Sequence, residues 1–136
     1  MDARQALDRL ERAAEDGALQ ELCARHGVAI LTAFGSAVHP GGREPDDLDL
    51  AVRFLAGHGG DPLALLDALA ELTGYSDLDL MDVARADPVA RVAGLTECRP
   101  LFEAEPYLFA REQLRAMQAK MDTAWLRDIE LRRLAG

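Results

Sequence analysis

Two segments with a period of two residues place the strongest constraint on the fold of this chain. In DDLDLAVRF, residues 46–54, apolar side chains alternate with polar ones. YSDLDLMDV, residues 75–83, repeats the alternation. Successive side chains of an extended strand point to opposite faces, so the pattern places leucines on one face and aspartates on the other. Both segments are therefore predicted to be β-strands with one face in the core and one acidic face.

Two more strands are predicted, one before and one after these segments. VAILTAF, Val28–Phe34, is short, apolar and partly β-branched, and it stops at Gly35. These features are typical of a buried strand. RPLFEA, residues 99–104, is predicted to be a small edge strand. The sheet is therefore expected to have three to four strands.

Helical periodicity fills the rest of the chain. Residues 2–25 carry leucines at helical spacing, with a break at Asp16-Gly17. An aspartate followed by a proline marks two later helix starts, because the aspartate caps the helix and proline suits its first turn. The predicted helices run from Asp61-Pro62 to about residue 72, from Asp87-Pro88 to about residue 95, and over about residues 105–134.

The order of these elements predicts an α/β (α+β) fold, a small mixed β-sheet with helices on one face. With 136 residues, of which 49% are hydrophobic, the chain has enough apolar material for one modest core. We therefore expect a single domain over residues 1–136, with its catalytic core at about 28–103 and a C-terminal helix at about 105–134. A separate substrate domain does not fit in this length.

The charge and cysteine content exclude several classes of protein. A net charge of −9, with no basic patch in the sequence, argues against direct binding of nucleic acid. Cys23 and Cys98 are far apart and belong to no CxxC or Cys/His cluster, so neither a zinc site nor a disulfide framework is predicted. The sequence has no apolar stretch of signal-peptide or membrane-spanning length. We expect a soluble cytoplasmic protein with no membrane contact.

Asp47 and Asp49 are the first candidates for a functional site. Because they share one strand face, their Cβ atoms are expected about 6–7 Å apart at a rise of about 3.3 Å per residue. Two carboxylates at this spacing can bind a hard cation such as Mg²⁺, and without one they repel each other. Asp77 and Asp79 repeat the pattern on the next predicted strand, which favours a metal site. The alternative is an acidic strand face that is only solvated.

Gly35-Ser36 follows the first predicted strand, and ten residues separate it from Asp47. The pair is expected to open a short helical turn, whose free backbone N–H groups and serine hydroxyl can hold a phosphate. The alternative is an ordinary turn between two strands. If the phosphate reading holds, the phosphate and the metal meet in one cleft.

Together these residues resemble a known signature. Gly35-Ser36, ten residues, then Asp47-x-Asp49 resembles the polymerase-beta-like nucleotidyltransferases, and specifically the minimal nucleotidyltransferase (MNT) family. LDLMDVARADPVARVAGLTECRPLFE, residues 78–103, is similar to the segment that follows in that family. The resemblance covers about residues 28–103.

The resemblance implies a role for each matching residue. It implies that Gly35 and Ser36 bind the nucleotide phosphates, that Asp47 and Asp49 are catalytic metal ligands, and that Asp79 is the third catalytic carboxylate and also binds metal. Asp79 is preferred to Asp77 on the alignment of the flanking leucines, and Asp77 remains the alternative.

The resemblance also implies an activity and a partner. It implies a metal-dependent nucleotidyltransferase that transfers AMP from ATP to a hydroxyl, with two Mg²⁺ ions, or Mn²⁺ in their place. The acceptor implied is a tyrosine of a partner HEPN toxin, so that the protein is an antitoxin acting by AMPylation. The alternatives are a non-catalytic module that acts by contact and a small-molecule enzyme of the aminoglycoside-modifying type.

The C-terminal helix carries apolar residues on more than one side. Leu114, Met117, Met121 and Trp125 form one stripe, and Leu126, Leu131 and Leu134 lie off it. One stripe is predicted to be core, and a second indicates a partner, such as another copy in a homo-oligomer.

Two positions depart from the family pattern. The basic, glycine-ending stretch that usually follows Gly-Ser is AVHPGG here, and the serine that usually precedes the first aspartate is Asp46.

Arg53 lies on the same predicted strand face as the aspartates. It is a candidate for a phosphate contact or for an ion pair with those acids.

Overall fold

The computed structural model describes residues 1–39 and 46–135. Residues 40–45, which include most of the glycine- and proline-rich loop, lie outside the described residues, and with them lies part of the AVHPGG departure. The elements are α1 (Ala3–Asp16), α2 (Ala18–Arg25), β1 (Val28–Phe34), a 3₁₀ turn (Gly35–Ala37), β2 (Leu48–Phe54), α3 (Pro62–Thr73), β3 (Leu78–Asp82), α4 (Pro88–Thr96), β4 (Cys98–Glu103) and α5 (Leu108–Ala135).

The sheet is mixed, as predicted. Its strand order is β3-β2-β1-β4. β1 pairs antiparallel with both β2 and β4, whereas β2 and β3 are parallel. The parallel register places Asp49 opposite Asp79, and the antiparallel register places Phe34, the last residue of β1, opposite Asp49. The end of β1 and the first residues of β2 and β3 therefore meet at one edge of the sheet.

The helices begin and end where the local signals predict. α1 ends at Gly17, which has the left-handed conformation at φ +94°. Asp61 accepts a hydrogen bond from the Leu63 N–H at 3.0 Å and caps α3. Asp87 accepts one from the Ala90 N–H at 2.9 Å and caps α4. Each cap satisfies a backbone donor that the helix itself leaves unpaired.

Helices α1, α2 and α3 pack on one face of the sheet. This face carries the alternating apolar residues of β2 and forms the larger core. Its fully buried large side chains include Leu7, Leu10, Leu19, Leu31, Leu48, Leu50, Val52, Leu65 and Leu69.

The opposite face of the sheet is also covered, but only in part. Ile30 and Ala51 form a second, smaller core there with α4 and the first half of α5. α4 approaches closely because it presents Gly94, on which an added Cβ would lie 3.0 Å from the Ala51 Cβ. The acidic pattern of β2 stops at Asp49, and the small apolar Ala51 that follows gives the helix a surface to pack on. Helices therefore lie on both faces, which corrects the expectation of helices on one face.

α5 is attached to the sheet through its first half. The buried Glu112 carboxylate lies 3.1 Å from the Arg53 guanidinium and 3.3 Å from that of Arg115. Arg53 thus pairs with an acid of α5, which corrects its assignment as a phosphate contact or a partner of the aspartates. Among the described residues, no helix combines the length and the apolar character needed to span a bilayer.

Candidate active site

Three carboxylates converge at the edge of the sheet where β2 and β3 begin. Asp49 and Asp79 are direct register partners on the two parallel strands, and Asp47 lies just before β2. One carboxylate oxygen from each of the three lies within 4.8 Å of the other two. Asp47 and Asp79 are exposed, and Asp49 is partly buried. The cluster is therefore preformed and open to solvent.

Asp77 is placed differently from Asp79. Within the described residues, the cluster comprises Asp47, Asp49 and Asp79 and leaves Asp77 out. The backbone carbonyl of Asp77 accepts a hydrogen bond from the Leu48 N–H at 3.0 Å, which extends the pairing of β2 and β3. The geometry therefore favours Asp79 as the third carboxylate.

The pKa of Asp49 reflects the crowding of negative charge in the cluster. Partial burial raises its pKa, and the negative charges of Asp47 and Asp79 raise the pKa further. A divalent cation between the carboxylates would offset both effects. Three carboxylate groups are also the hard oxygen donors that Mg²⁺ and Mn²⁺ prefer. The donor set of this cluster thus fits such an ion.

Gly35 lies directly against the cluster. Its backbone is left-handed at φ +78°, and a Cβ added to it would lie 2.3 Å from Oδ2 of Asp49. Glycine is therefore required here both for the conformation and for the space. Gly35 is also the first residue of the turn Gly35–Ala37, in which Ser36 is exposed. The Val38 N–H closes this turn by donating to the Gly35 carbonyl at 3.2 Å. The structure thus brings the Gly-Ser turn and the carboxylates together.

Tyr75 is a residue that sequence reasoning missed. Its hydroxyl donates a hydrogen bond to the Asp46 carbonyl at 2.8 Å, next to Asp47. Nothing in the local sequence marks this contact, since the two residues are 29 positions apart. The contact anchors the backbone that leads into the carboxylate cluster.

Comparison with known proteins identifies the family. No family model matches the chain, and neither does any curated protein. Among solved structures, a protein designated a minimal nucleotidyltransferase is 34% identical, over 74% of this chain and 97% of that one, with a TM-score of 0.55. The chain belongs to the minimal nucleotidyltransferase family.

More distant structures share the nucleotidyltransferase fold. A chain of the complex between a tri-AMPylated Shewanella oneidensis HEPN toxin and an MNT antitoxin is 17% identical, over 93% of this chain and 99% of that one, with a TM-score of 0.62. A chain of a toxin-antitoxin complex with AMP-PNP is also 17% identical, over 87% and 96% of the two chains, with a TM-score of 0.64. The fold therefore extends across nearly the whole length of these chains.

Proposed function

We propose that this nucleotidyltransferase is a protein adenylyltransferase. It transfers AMP from ATP to a tyrosine hydroxyl of a HEPN-family toxin and thereby acts as an antitoxin. The observation that carries the proposal is the convergence of Asp47, Asp49 and Asp79 within 4.8 Å, beside the Gly35-Ser36 turn. Carboxylates that can bind metal and hydrogen-bond donors that can hold a phosphate then lie side by side.

The metal would be held by the three aspartates. Asp47 and Asp49 are the proposed ligands of two Mg²⁺ ions, for which Mn²⁺ can substitute, and Asp79 shares one of them. When bound, the ions neutralise charge on the triphosphate and on the departing pyrophosphate. The raised pKa of Asp49 supports this role, because the cluster is electrostatically strained until positive charge is added.

The residues of the chain position the two reactants. The Ser36 hydroxyl and the backbone N–H groups of the turn hold the outer phosphates of ATP. The oxygen of the acceptor hydroxyl bonds to the α-phosphorus, and Asp79 accepts the proton that this hydroxyl loses. The bond from the α-phosphorus to the β-phosphate oxygen breaks, and pyrophosphate leaves. The products are an adenylylated acceptor, pyrophosphate and the proton, which Asp79 releases to solvent.

Two observations support a protein as the acceptor. Asp47 and Asp79 are exposed at the sheet edge, so a surface side chain of another protein can approach them. Similar folds occur in complexes of HEPN toxins with MNT antitoxins, one with a tri-AMPylated toxin and one with AMP-PNP. The tyrosine itself rests on the family resemblance and is part of the proposal.

The test combines the purified chain, ATP, Mg²⁺ and a HEPN-family toxin as the candidate partner. Intact mass spectrometry of the partner should show one or more added adenylyl groups, and peptide sequencing should place them on tyrosine. Asp49→Ala and Asp79→Ala should abolish the added mass. Asp77→Ala is the matched control, because this aspartate directly precedes β3 but lies outside the cluster. It should retain most of the activity.

The outcomes separate the alternatives from one another. Binding of the partner without any mass change would support a module that acts by contact alone. Adenylylation of small hydroxylated antibiotics, with no change in the partner, would support a small-molecule enzyme. Full activity of Asp79→Ala combined with loss in Asp77→Ala would move the third carboxylate to Asp77.

A further inference from the structure

The α5 helix presents an apolar surface that the other described residues leave exposed, which corrects the expectation that a stripe of this helix is core. Leu114, Met117, Met121 and Trp125 follow one another at intervals of three and four residues, so they lie on one side of the helix. We call these four residues the α5 stripe. Ala116, which is fully buried, faces the sheet on another side of the same helix. The stripe therefore points away from the protein's own core.

The α5 stripe is large for a surface that stays in water. Its exposed fractions are 61%, 46%, 70% and 65% in sequence order. Since a tryptophan alone buries about 150–250 Å² when it is covered, the stripe offers on the order of 400 Å² of apolar surface. A contiguous patch of this size is often functional.

The charge of α5 differs from that of the rest of the chain. α5 contains six basic and four acidic residues, whereas the remaining residues contain nine basic and twenty acidic ones. One of the four acids, Glu112, is buried in its pairs with Arg53 and Arg115. The α5 helix as a whole therefore carries a small net positive charge on an otherwise acidic protein. An acidic partner surface would complement it.

A second copy of this chain fits the stripe poorly. If two α5 helices paired in parallel along the stripe, the position three residues after Trp125 would bring Asp128 into the seam. Each Asp128, which pairs with Arg132 of its own helix at 3.2 Å, would then place a charged pair in the apolar seam. An antiparallel pair would still bring two basic helices together. The chain's own charge pattern thus disfavours self-pairing through α5.

We infer that the α5 stripe is the docking surface for the partner protein, which presents an apolar groove bordered by acidic side chains. This inference rests on the proposed function, because that function requires a protein partner. The docked helix supplies affinity, while the carboxylate cluster at the sheet edge performs the transfer. Binding and catalysis then depend on different residues and can be separated by mutation.

The experiment measures the affinity of the chain for the same HEPN-family protein by calorimetry. Met121→Glu and Trp125→Glu should each weaken binding at least tenfold, because they place a charge in the apolar contact. Leu63→Glu on α3 is the matched control: Leu63 is 73% exposed but lies on a different helix, and its variant should bind like the wild type. Raising the salt concentration should weaken wild-type binding, because the basic flanks are exposed. Circular dichroism verifies that the helix content of each variant is unchanged.

Two results would overturn the inference. One is wild-type affinity in both stripe variants, or no binding of the pair at all. The other is a dimer of the chain alone, detected by sedimentation equilibrium, that Met121→Glu converts to a monomer, since this assigns the stripe to a second copy. Asp79→Ala distinguishes this inference from the proposed function: it should bind with wild-type affinity and transfer no AMP. If the wild-type pair binds through the stripe but no AMP is transferred, the proposed function fails and the docking surface stands.

Discussion

Gly35→Ala tests whether the Gly-Ser turn and the carboxylates form one site. The new Cβ would lie 2.3 Å from Oδ2 and 3.2 Å from Cγ of Asp49, where an ordinary contact is about 3.4 Å or more. The Asp49 carboxylate therefore has to move by about 1 Å, which a change in side-chain torsion achieves at a cost of about 1 kcal/mol. The left-handed backbone of residue 35 adds about 1–2 kcal/mol for any residue with a Cβ.

Gly57→Ala is the matched control for the backbone effect. Gly57 has φ +81°, close to the +78° of Gly35, and a Cβ added there meets no atom within 4 Å. This variant should lose the same 1–2 kcal/mol of stability without moving Asp49. Any further difference between the two variants then reports the contact with Asp49.

The assay is thermal unfolding in EDTA, and again with Mg²⁺ and a non-hydrolysable ATP analogue. In EDTA, Gly57→Ala should unfold about 5 °C below the wild type and Gly35→Ala about 8 °C below it. At a ligand concentration about 100 times the Kd, binding should add about 2.7 kcal/mol to the wild type and to Gly57→Ala. Gly35→Ala should lose most of this ligand-dependent increase, because Asp49 no longer lies with the other two carboxylates. A full ligand-dependent increase in Gly35→Ala would refute the reasoning.

Three further predictions follow from single contacts. Because folding raises the pKa of Asp49, this residue favours folding at low pH, and the contribution is lost as the pH rises through the raised pKa. In EDTA at pH 7, Asp49→Asn should therefore have a higher melting temperature than the wild type by calorimetry. Equal melting temperatures would contradict the argument that burial and charge repulsion destabilise the ionised carboxylate. Tyr75→Phe removes the hydroxyl that donates to the Asp46 carbonyl. The variant should lose about 1 kcal/mol of stability in urea unfolding and bind Mg²⁺-ATP more weakly. Unchanged binding would show that this hydrogen bond does not position the site. Glu112→Gln removes the buried charge that pairs with Arg53 and should cost about 1–2 kcal/mol in urea unfolding, a modest loss because Arg53 is partly exposed to water. A variant as stable as the wild type would mean that this ion pair does not stabilise the packing of α5.

Local sequence patterns predicted most of the secondary structure. The alternation in residues 46–54 and 75–83 defined two strands, because a period of two residues is a property of the extended backbone itself. Asp61-Pro62 and Asp87-Pro88 located two helix starts, because capping involves only neighbouring residues. The spacing of ten residues between Gly35-Ser36 and Asp47 indicated the family, because it can be recognised in the sequence alone. These features need no information about distant parts of the chain.

The acidic cluster required the tertiary structure. The same alternation makes Asp77 and Asp79 equivalent candidates, and only the register between β2 and β3 places Asp79 beside Asp49. Strand register depends on packing between segments that are far apart in the sequence, so a local pattern cannot fix it.

Contacts between distant segments decided the rest. Arg53 was compatible with a phosphate or a nearby aspartate until α5 placed the buried Glu112 beside it. α4 covers the second face of the sheet because Gly94 meets Ala51 there, a contact that neither helix nor strand pattern encodes. The sequence by itself determined which residues form strands, helices and caps, since those follow from backbone geometry and neighbouring side chains. The tertiary structure decided which charged groups meet, since that depends on how those elements pack.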